Sequence, residues 1–433
     1  MQLVAYGAQD IYLTGNPQIT FWKVVYRRCT NFAIESVEQT FMGNATPGSR
    51  ATATISRNGD LVSNCILEVD ITARSGLMAN NNPQQTKLEQ GGMYNLIESV
   101  EVEIGGQKID KHYGAWMEIW CELSCPHCGP KNDDSAQVQS GKGKIVGHGS
   151  TALTDTYTAN SGNAGADVKK SKSHTFYVPL AFWFNRNPGL ALPLIALQYH
   201  EVKFNFQFSS VANIFSGAST TVFDSKAGDN DADPATGAAA GTVNSIKMFV
   251  DYIYLDTEER RRFAQQSHEY LIDQLQYTGA VSRTSGAGAS QSLRLDFNHP
   301  CKELVWVERN LTANVGLCNF EADMGKQGGS ALLQLNGHDR FAKRPMNYFT
   351  RVQPLQHHTN VPFGDRIGVY SFGLRPEDHQ PSGTCNFSRI DNATLQLTLN
   401  DAEHGDGSEF QVYATNYNVL RIMSGMGGLA YSN

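Results

Sequence analysis

The sequence predicts an all-β chain built as two similar sandwiches in tandem, and three observations carry that prediction. The first is that the halves repeat one another: Tyr177, Pro188, Val202, Phe204 and Phe206 recur as Tyr370, Pro381, Leu395, Leu397 and Leu399 at one constant offset. Upstream, Val102-x-Ile104-Gly-Gly106 resembles Leu333-x-Leu335-Asn-Gly337 at a different offset, so the halves differ in loop length rather than in plan. The second is period-2 alternation, visible in Ser99–Ile104, Val202–Phe208 and Ala393–Leu399, which gives each segment one apolar face. The third is length, since 433 residues exceed one ordinary domain and let each half bury its own core.

Along the chain, residues 1–22 read as an N-terminal arm, because the Gly15-Asn-Pro17 turn and polar content leave it little core of its own. Asn58-Gly59 between Ile55 and Leu61 predicts a tight hairpin. Tyr113–Cys121 places Trp116, Ile119 and Trp120 at helical spacing, the pattern of a packed face. Phe249–Leu255 and Leu304–Val307 are apolar enough to lie between two layers. Asp256 followed by Glu259 marks a helix start, so residues 257–267 are expected to be a helical linker between a first domain, 23–256, and a second, 268–433. Long Gly-, Ser- and Asp-rich connections are expected at 74–92, 129–172 and 209–245. Strand alternation predicts that 74–92, 209–245 and their counterparts near 310–330 and 400–408 share one outward-facing end, with 113–172 at the other.

Composition narrows the function classes. A net charge of −7 argues against a chain that coats nucleic acid, and no direct nucleic-acid partner is expected. The N-terminus lacks a basic segment followed by an apolar one, and no run approaches the length of a membrane span, so a soluble, cytosolically made chain without membrane insertion is expected. Cys29, Cys65, Cys301, Cys318 and Cys385 are scattered singly and read as small buried thiols, kept reduced.

No catalytic constellation emerges, and no cofactor is expected. Cys125-Pro-His-Cys128, with Cys121 and His127 nearby, has the spacing of a thiol–disulfide site or half a zinc site, but lacks the βαβ context of the one and the second ligand pair of the other. Structural thiols in a turn are the simpler reading. Asp229-x-Asp231-x-Asp233 begins like a calcium loop and fails at Pro234 and Ala240. Gly425-x-Gly427-x-x-Ala430 echoes a dinucleotide fingerprint with no room for the helix that must follow, so it reads as end-of-chain packing. His357, His358, His379 and His404 show no metalloprotease spacing.

Gly7–Phe21, continued by Val25-Tyr-Arg-Arg28 and Thr30–Glu35, is similar to the opening of the major capsid proteins of nucleocytoplasmic large DNA viruses, the algal-virus branch above all. Ser56–Asp60, Glu103–Gln107, Pro188–Val202, Pro381–Ile390 and Asn418–Tyr431 resemble the same family, so the match spans both halves. The resemblance implies a double jelly roll of two eight-stranded sandwiches, no enzyme activity, and a homotrimer forming pseudo-hexagonal capsomers. It also implies neighbouring capsomers, minor capsid proteins and penton proteins as partners, and a place in a virion assembled in the host cytoplasm. The alternatives are a carbohydrate-binding, lectin-like tandem jelly roll and an enzyme of cupin-like metal or Cys125/Cys128 redox chemistry. An extensive trimer interface is expected from Phe182-Trp-Phe184 beside Asn185 and from the 188–197 run, which thin sandwiches would not bury alone. Of the Asn-x-Ser/Thr sites, Asn310 falls at an outward loop and is the candidate glycosylation site, whereas Asn44, Asn386 and Asn392 lie at a short turn or against a strand.

Overall fold

The structure is a computed structural model that describes residues 7–18, 22, 26, 28–74, 76–77, 83–84, 87–124, 146, 171–216, 241–283, 290–311, 316–320, 329–362, 364–398 and 408–431. The first sandwich uses β1 (Phe32–Gln39), β2 (Arg50–Thr54), β3 (Leu61–Arg74), β4 (Ile97–Ile104), β5 (Gln107–Tyr113), β6 (Ser171–Pro179), β7 (Val202–Phe208) and β8 (Gly241–Leu255). Its sheets run β1-β8-β3-β6 and β2-β7-β4-β5. After β5 comes helix α1 (Gly114–Ser124), and after β8 comes α2 (Thr257–Gln265).

The second sandwich uses β9 (His268–Ser282), β10 (Ser290–Arg294), β11 (Pro300–Asn310), β12 (Ser330–Leu335), β13 (His338–Asp339), β14 (Ile367–Ser371), β15 (Ala393–Thr398) and β16 (Ser408–Met423). Its sheets run β9-β16-β11-β14 and β10-β15-β12-β13, with β17 (Met426–Leu429) added against β16. Adding eight to each strand number of the first sandwich reproduces the strand order of the second. The chain is therefore a double jelly roll.

Local sequence explains the elements. Along β7, Val202, Phe204, Phe206 and Phe208 are buried and the residues between them half-buried, and the last three rings stack at 6.3 and 5.7 Å. Each sandwich closes one hairpin with two left-handed residues: Gly105 and Gly106 (φ 58° and 86°) join β4 to β5, and Asn336 and Gly337 (φ 51° and 78°) join β12 to β13. Glycine and asparagine tolerate that conformation, which explains why these two short motifs resemble each other across the halves. Asp256 caps α2 by accepting from the Thr257 amide at 2.7 Å, as its spacing predicts, and Phe263 packs with Leu61, Ala191 and Ile253.

Three expectations are corrected. Asn58-Gly59 does not close a hairpin, because β2 and β3 belong to different sheets and the segment crosses between them; a Cβ on Gly59 would stand 2.8 Å from that of Tyr252, whose hydroxyl donates to the Ser56 carbonyl at 2.7 Å. Phe249–Leu255 is not enclosed between layers: Met248, Val250 and Tyr252 face the core while Phe249 and Asp251 are half-buried. The connection at 113–172 does not lie opposite the other long ones, since β6 begins with Ser171 beside Arg74 and β8 begins with Gly241 beside Ala73. In an antiparallel sandwich every second connection returns to the same end, and the count from 74–92 to 113–172 is even. Most of the residues in these connections lie outside the described set.

Leu304–Val307 behaves as predicted, with both faces of β11 covered: Leu304 and Trp306 enter the second sandwich's own core, while Val305 and Val307 join the core of the first. Gly368 crosses so close to Trp306 that a Cβ there would stand 2.3 Å from the indole. Trp306→Ala is expected to cost about 3–5 kcal/mol, read as a lowered denaturation midpoint.

Candidate assembly site: the seam between the sandwiches

The described surfaces that can act are those by which sandwiches meet, and one such contact is complete within the chain. β5 and α1 of the first sandwich lie on the outer face of β9-β16-β11 of the second. Gly114 opens α1 where any side chain would strike the Tyr94 and Ile97 carbonyls, at 2.2 and 2.3 Å from its Cβ position, so the helix starts flush against the sandwich. Trp116 and Ile119 are buried, as the helical spacing predicts, while Trp120 is half-buried. The Trp116 ring sits 5.5 Å from Tyr413, and Tyr113 sits 4.9 Å from Tyr277, which stacks on Tyr413 at 4.9 Å. Edge strand β9 is tied down as well: the Leu275 amide donates to Asp110 at 3.1 Å and the Gln274 side chain donates to the Ile109 carbonyl.

Charges are buried in this seam. Arg186 stacks its guanidinium 3.8 Å above the Trp120 ring and stands 3.9 Å from Asp273, which holds Lys302 at 3.0 Å. Burial pulls the Arg186 pKa below its usual value, against the opposing pull of Asp273 and Asp110. Nearby, His358 lies 2.9 Å from both Glu303 and Glu377, and Thr415 donates to Glu303 at 3.2 Å. Burial disfavours a charged His358, but the two carboxylates outweigh it and hold its pKa at about 9. Burial likewise works against ionised Glu303 and Glu377, and the imidazolium overrides it and holds both below the ordinary carboxylate range. Sequence spacing did not reveal this triad, because its members come from a strand and two separate loops.

The C-terminus completes the seam. The Tyr199 amide donates to the Gly425 carbonyl at 3.0 Å, and a Cβ on Gly427 would stand 2.6 Å from Leu197, so glycine is needed there for close approach. Gly425–Ala430 is thus the packing segment its sequence suggests. Beside the aromatic cluster a cavity of about 610 Å³ opens between the sandwiches, lined among others by Arg50, Lys111, Arg309 and Glu409. Among the described residues no group of His, Cys, Asp and Glu is arranged to hold a metal, and no helix is long and apolar enough to cross a membrane.

The other candidate residues fall as follows. Phe182, Trp183 and Phe184, with Leu192, Leu194 and Leu197, are buried within their own chain, so the expectation that they need a partner chain is overturned. The single turn Trp183–Arg186 folds them under β3, where Asn185 donates to the Ser63 carbonyl at 2.7 Å. Cys65, Cys301 and Cys318 are buried free thiols, Cys385 is half-buried, and Cys29 is exposed, contrary to the buried reading. Burial pushes the Cys65 thiol up to about 12, which makes it a poor thiolate. Cys125, His127, Cys128, Asp229, Asp231, Asp233 and His404 lie outside the described residues. Asn310 ends β11 opposite Ser408 and is half-buried, its amide donating to the Asn319 carbonyl at 3.2 Å, whereas Asn44, Asn386 and Asn392 are exposed.

Comparison with known proteins gives one consistent answer. The family described as major capsid protein N-terminus matches residues 20–256, and the family described as large eukaryotic DNA virus major capsid protein matches residues 259–428. The chain is 47% identical to the major capsid protein of Pyramimonas orientalis virus and 44% identical to that of Paramecium bursaria Chlorella virus 1, in both cases over 100% of this chain and 99% of the relative. A quasi-atomic model of the PBCV-1 virus capsid superposes with a TM-score of 0.70 at 36% identity, covering 96% of this chain and 100% of that one.

The triad sets a pH dependence. Because the folded His358 pKa is raised from 6.5 to about 9, its contribution is complete below about 6.5 and lost as pH rises through about 9; those of Glu303 and Glu377 are present above about 4.5 and lost as pH falls through their lowered values. His358→Gln is expected to lower stability by up to about 3 kcal/mol near neutral pH and to flatten the alkaline limb of a melting-temperature profile.

Proposed function

The chain belongs to the major capsid protein family of large eukaryotic DNA viruses and is a structural protein, not an enzyme; from that premise we propose that it works as a closed trimer that tiles the virion shell. The observation that carries this reading is the duplication. Three chains with two like sandwiches each present six like units about a three-fold axis, so a trimer fits a position with six neighbours in an icosahedral lattice. No carbohydrate-binding reading is supported by the family match.

The finer proposals follow the same division of the chain: residues 1–22 as an arm, 23–256 and 268–433 as the two jelly rolls, and 257–267 as the linker. The arm exposes Ile11, Tyr12, Leu13 and Trp22, each more than two-thirds accessible, a surface suited to neighbouring capsomers or to minor capsid and penton proteins. We place the end carrying the long connections outward, the glycan on Asn310 at that end, and assembly in the host cytoplasm.

In solution the native mass is expected to be three chains; a well-behaved monomer at micromolar concentration overturns the proposal. Deleting residues 1–20 is expected to leave trimers intact and to impair shell formation, and loss of the trimers themselves would place the arm in the core. Replacing Asn310 with glutamine is expected to remove a glycan's mass from virion-derived protein, and an unchanged mass excludes the site.

A further inference from the structure

The seam inside the chain uses two surfaces, and each sandwich owns a copy of both. One is the segment after the fifth strand of a sandwich, here β5 and α1; the other is the outer face of the sheet begun by its first strand, here β9-β16-β11. Within one chain the first sandwich's segment meets the second sandwich's sheet. The second sandwich's equivalent segment and the first sandwich's equivalent sheet face are left over.

Both leftovers expose apolar side chains. After β13 the second sandwich makes a π-helical turn, Tyr348–Val352, that runs into α3 (Gln353–His357). Phe349, Thr350, Gln353 and Pro354 are buried on its own sandwich, while Leu355 points outward at 72% exposure beside Leu374, also at 72%. The His357 ring and the Leu374 carbonyl, 3.0 Å apart, hold these two segments together. On the first sandwich, Val37 of β1 packs on the core, so strand alternation puts Phe32 and Ile34 on the opposite face, where they are 51% and 58% exposed. Ile34 lies opposite Ile253 on β8, which Phe263 of α2 already covers, and Glu38 lies opposite the half-buried Phe249, so the apolar strip reaches the second strand at Phe249.

We propose that these two surfaces bind each other between copies of this chain, so that α3 and Leu374 of one protomer cover Phe32 and Ile34 of the next as α1 covers the β9-β16-β11 face within the chain. The inference rests on the trimer reading above and names its contact. The occupant is a second copy, because the same pair of surfaces already forms an extensive contact between the two halves, and a head-to-tail interface of two different patches closes into a ring when its rotation allows. Each protomer in a closed ring of three uses each leftover surface once, leaving none over.

The test uses the full-length chain, with native mass measured on wild type, on Leu355→Asp with Leu374→Asp, and on Ile34→Asp. Each variant alone is expected to shift from three chains to one, with near-ultraviolet circular dichroism unchanged. Mixed one to one, the two variants are expected to form a complex of two chains, because each still carries the surface the other lacks. If an aspartate variant misfolds, Leu355→Ala and Ile34→Ala replace it and are each expected to raise the concentration for half dissociation at least tenfold. Variants that remain trimeric, or a mixture that stays monomeric, overturn the contact while leaving the trimer reading intact; a monomeric wild type overturns the trimer instead.

Discussion

A sheet that is apolar on both faces governs this molecule. β11 and β16 send Leu304, Trp306, Phe410 and Val412 into the second sandwich and Val305, Val307 and Tyr413 out of it. Burying one such side chain is worth roughly 1.5–3 kcal/mol, so a second sandwich alone would expose several side chains at that cost each. The first sandwich covers them with β5 and α1, and the residues on both sides of the seam belong to one continuous core. Two domains by sequence are one packed body here.

The buried charges divide labour with that apolar contact. Packing supplies the drive, and the ion pair across the seam fixes the register, because sliding one sandwich along the other would part Arg186 from Asp273. An unpaired charge in such a place costs several kcal/mol. Lys302 illustrates the economy of the arrangement, since it serves Asp273 at 3.0 Å while its ammonium sits 4.8 Å over the Tyr417 ring.

Duplication with divergence explains the asymmetry between the halves. The strand orders are the same, yet the outer sheet face of the first sandwich mixes Phe32, Ile34 and Phe249 with Glu68, Asp70 and Lys247 near the surface, while its counterpart in the second buries Val305, Val307 and Tyr413 beside the paired carboxylates of Asp273 and Glu303. A face covered during folding of the same chain can bury its charges in fixed pairs among apolar side chains. One that must stay soluble until another chain arrives carries charges among its apolar residues, as interfaces assembled from separate subunits do.

The sequence alone determined the two-sandwich plan, because strand alternation and duplication are written in local order: Phe204 and Leu395 announce the same strand, and Gly105-Gly106 and Asn336-Gly337 the same turn. It also determined α1 and the α2 cap, whose signals span a few residues. Tertiary structure decided everything that depends on which segments meet. Asn58-Gly59 has the letters of a hairpin but joins strands of different sheets; Phe182–Phe184 has the letters of an interface but is folded under β3; His358 looked idle until Glu303 and Glu377 arrived from distant positions. Short-range propensity and periodicity act between neighbours in sequence, whereas burial and charge pairing act between neighbours in space, and a sandwich makes those neighbours mostly non-local.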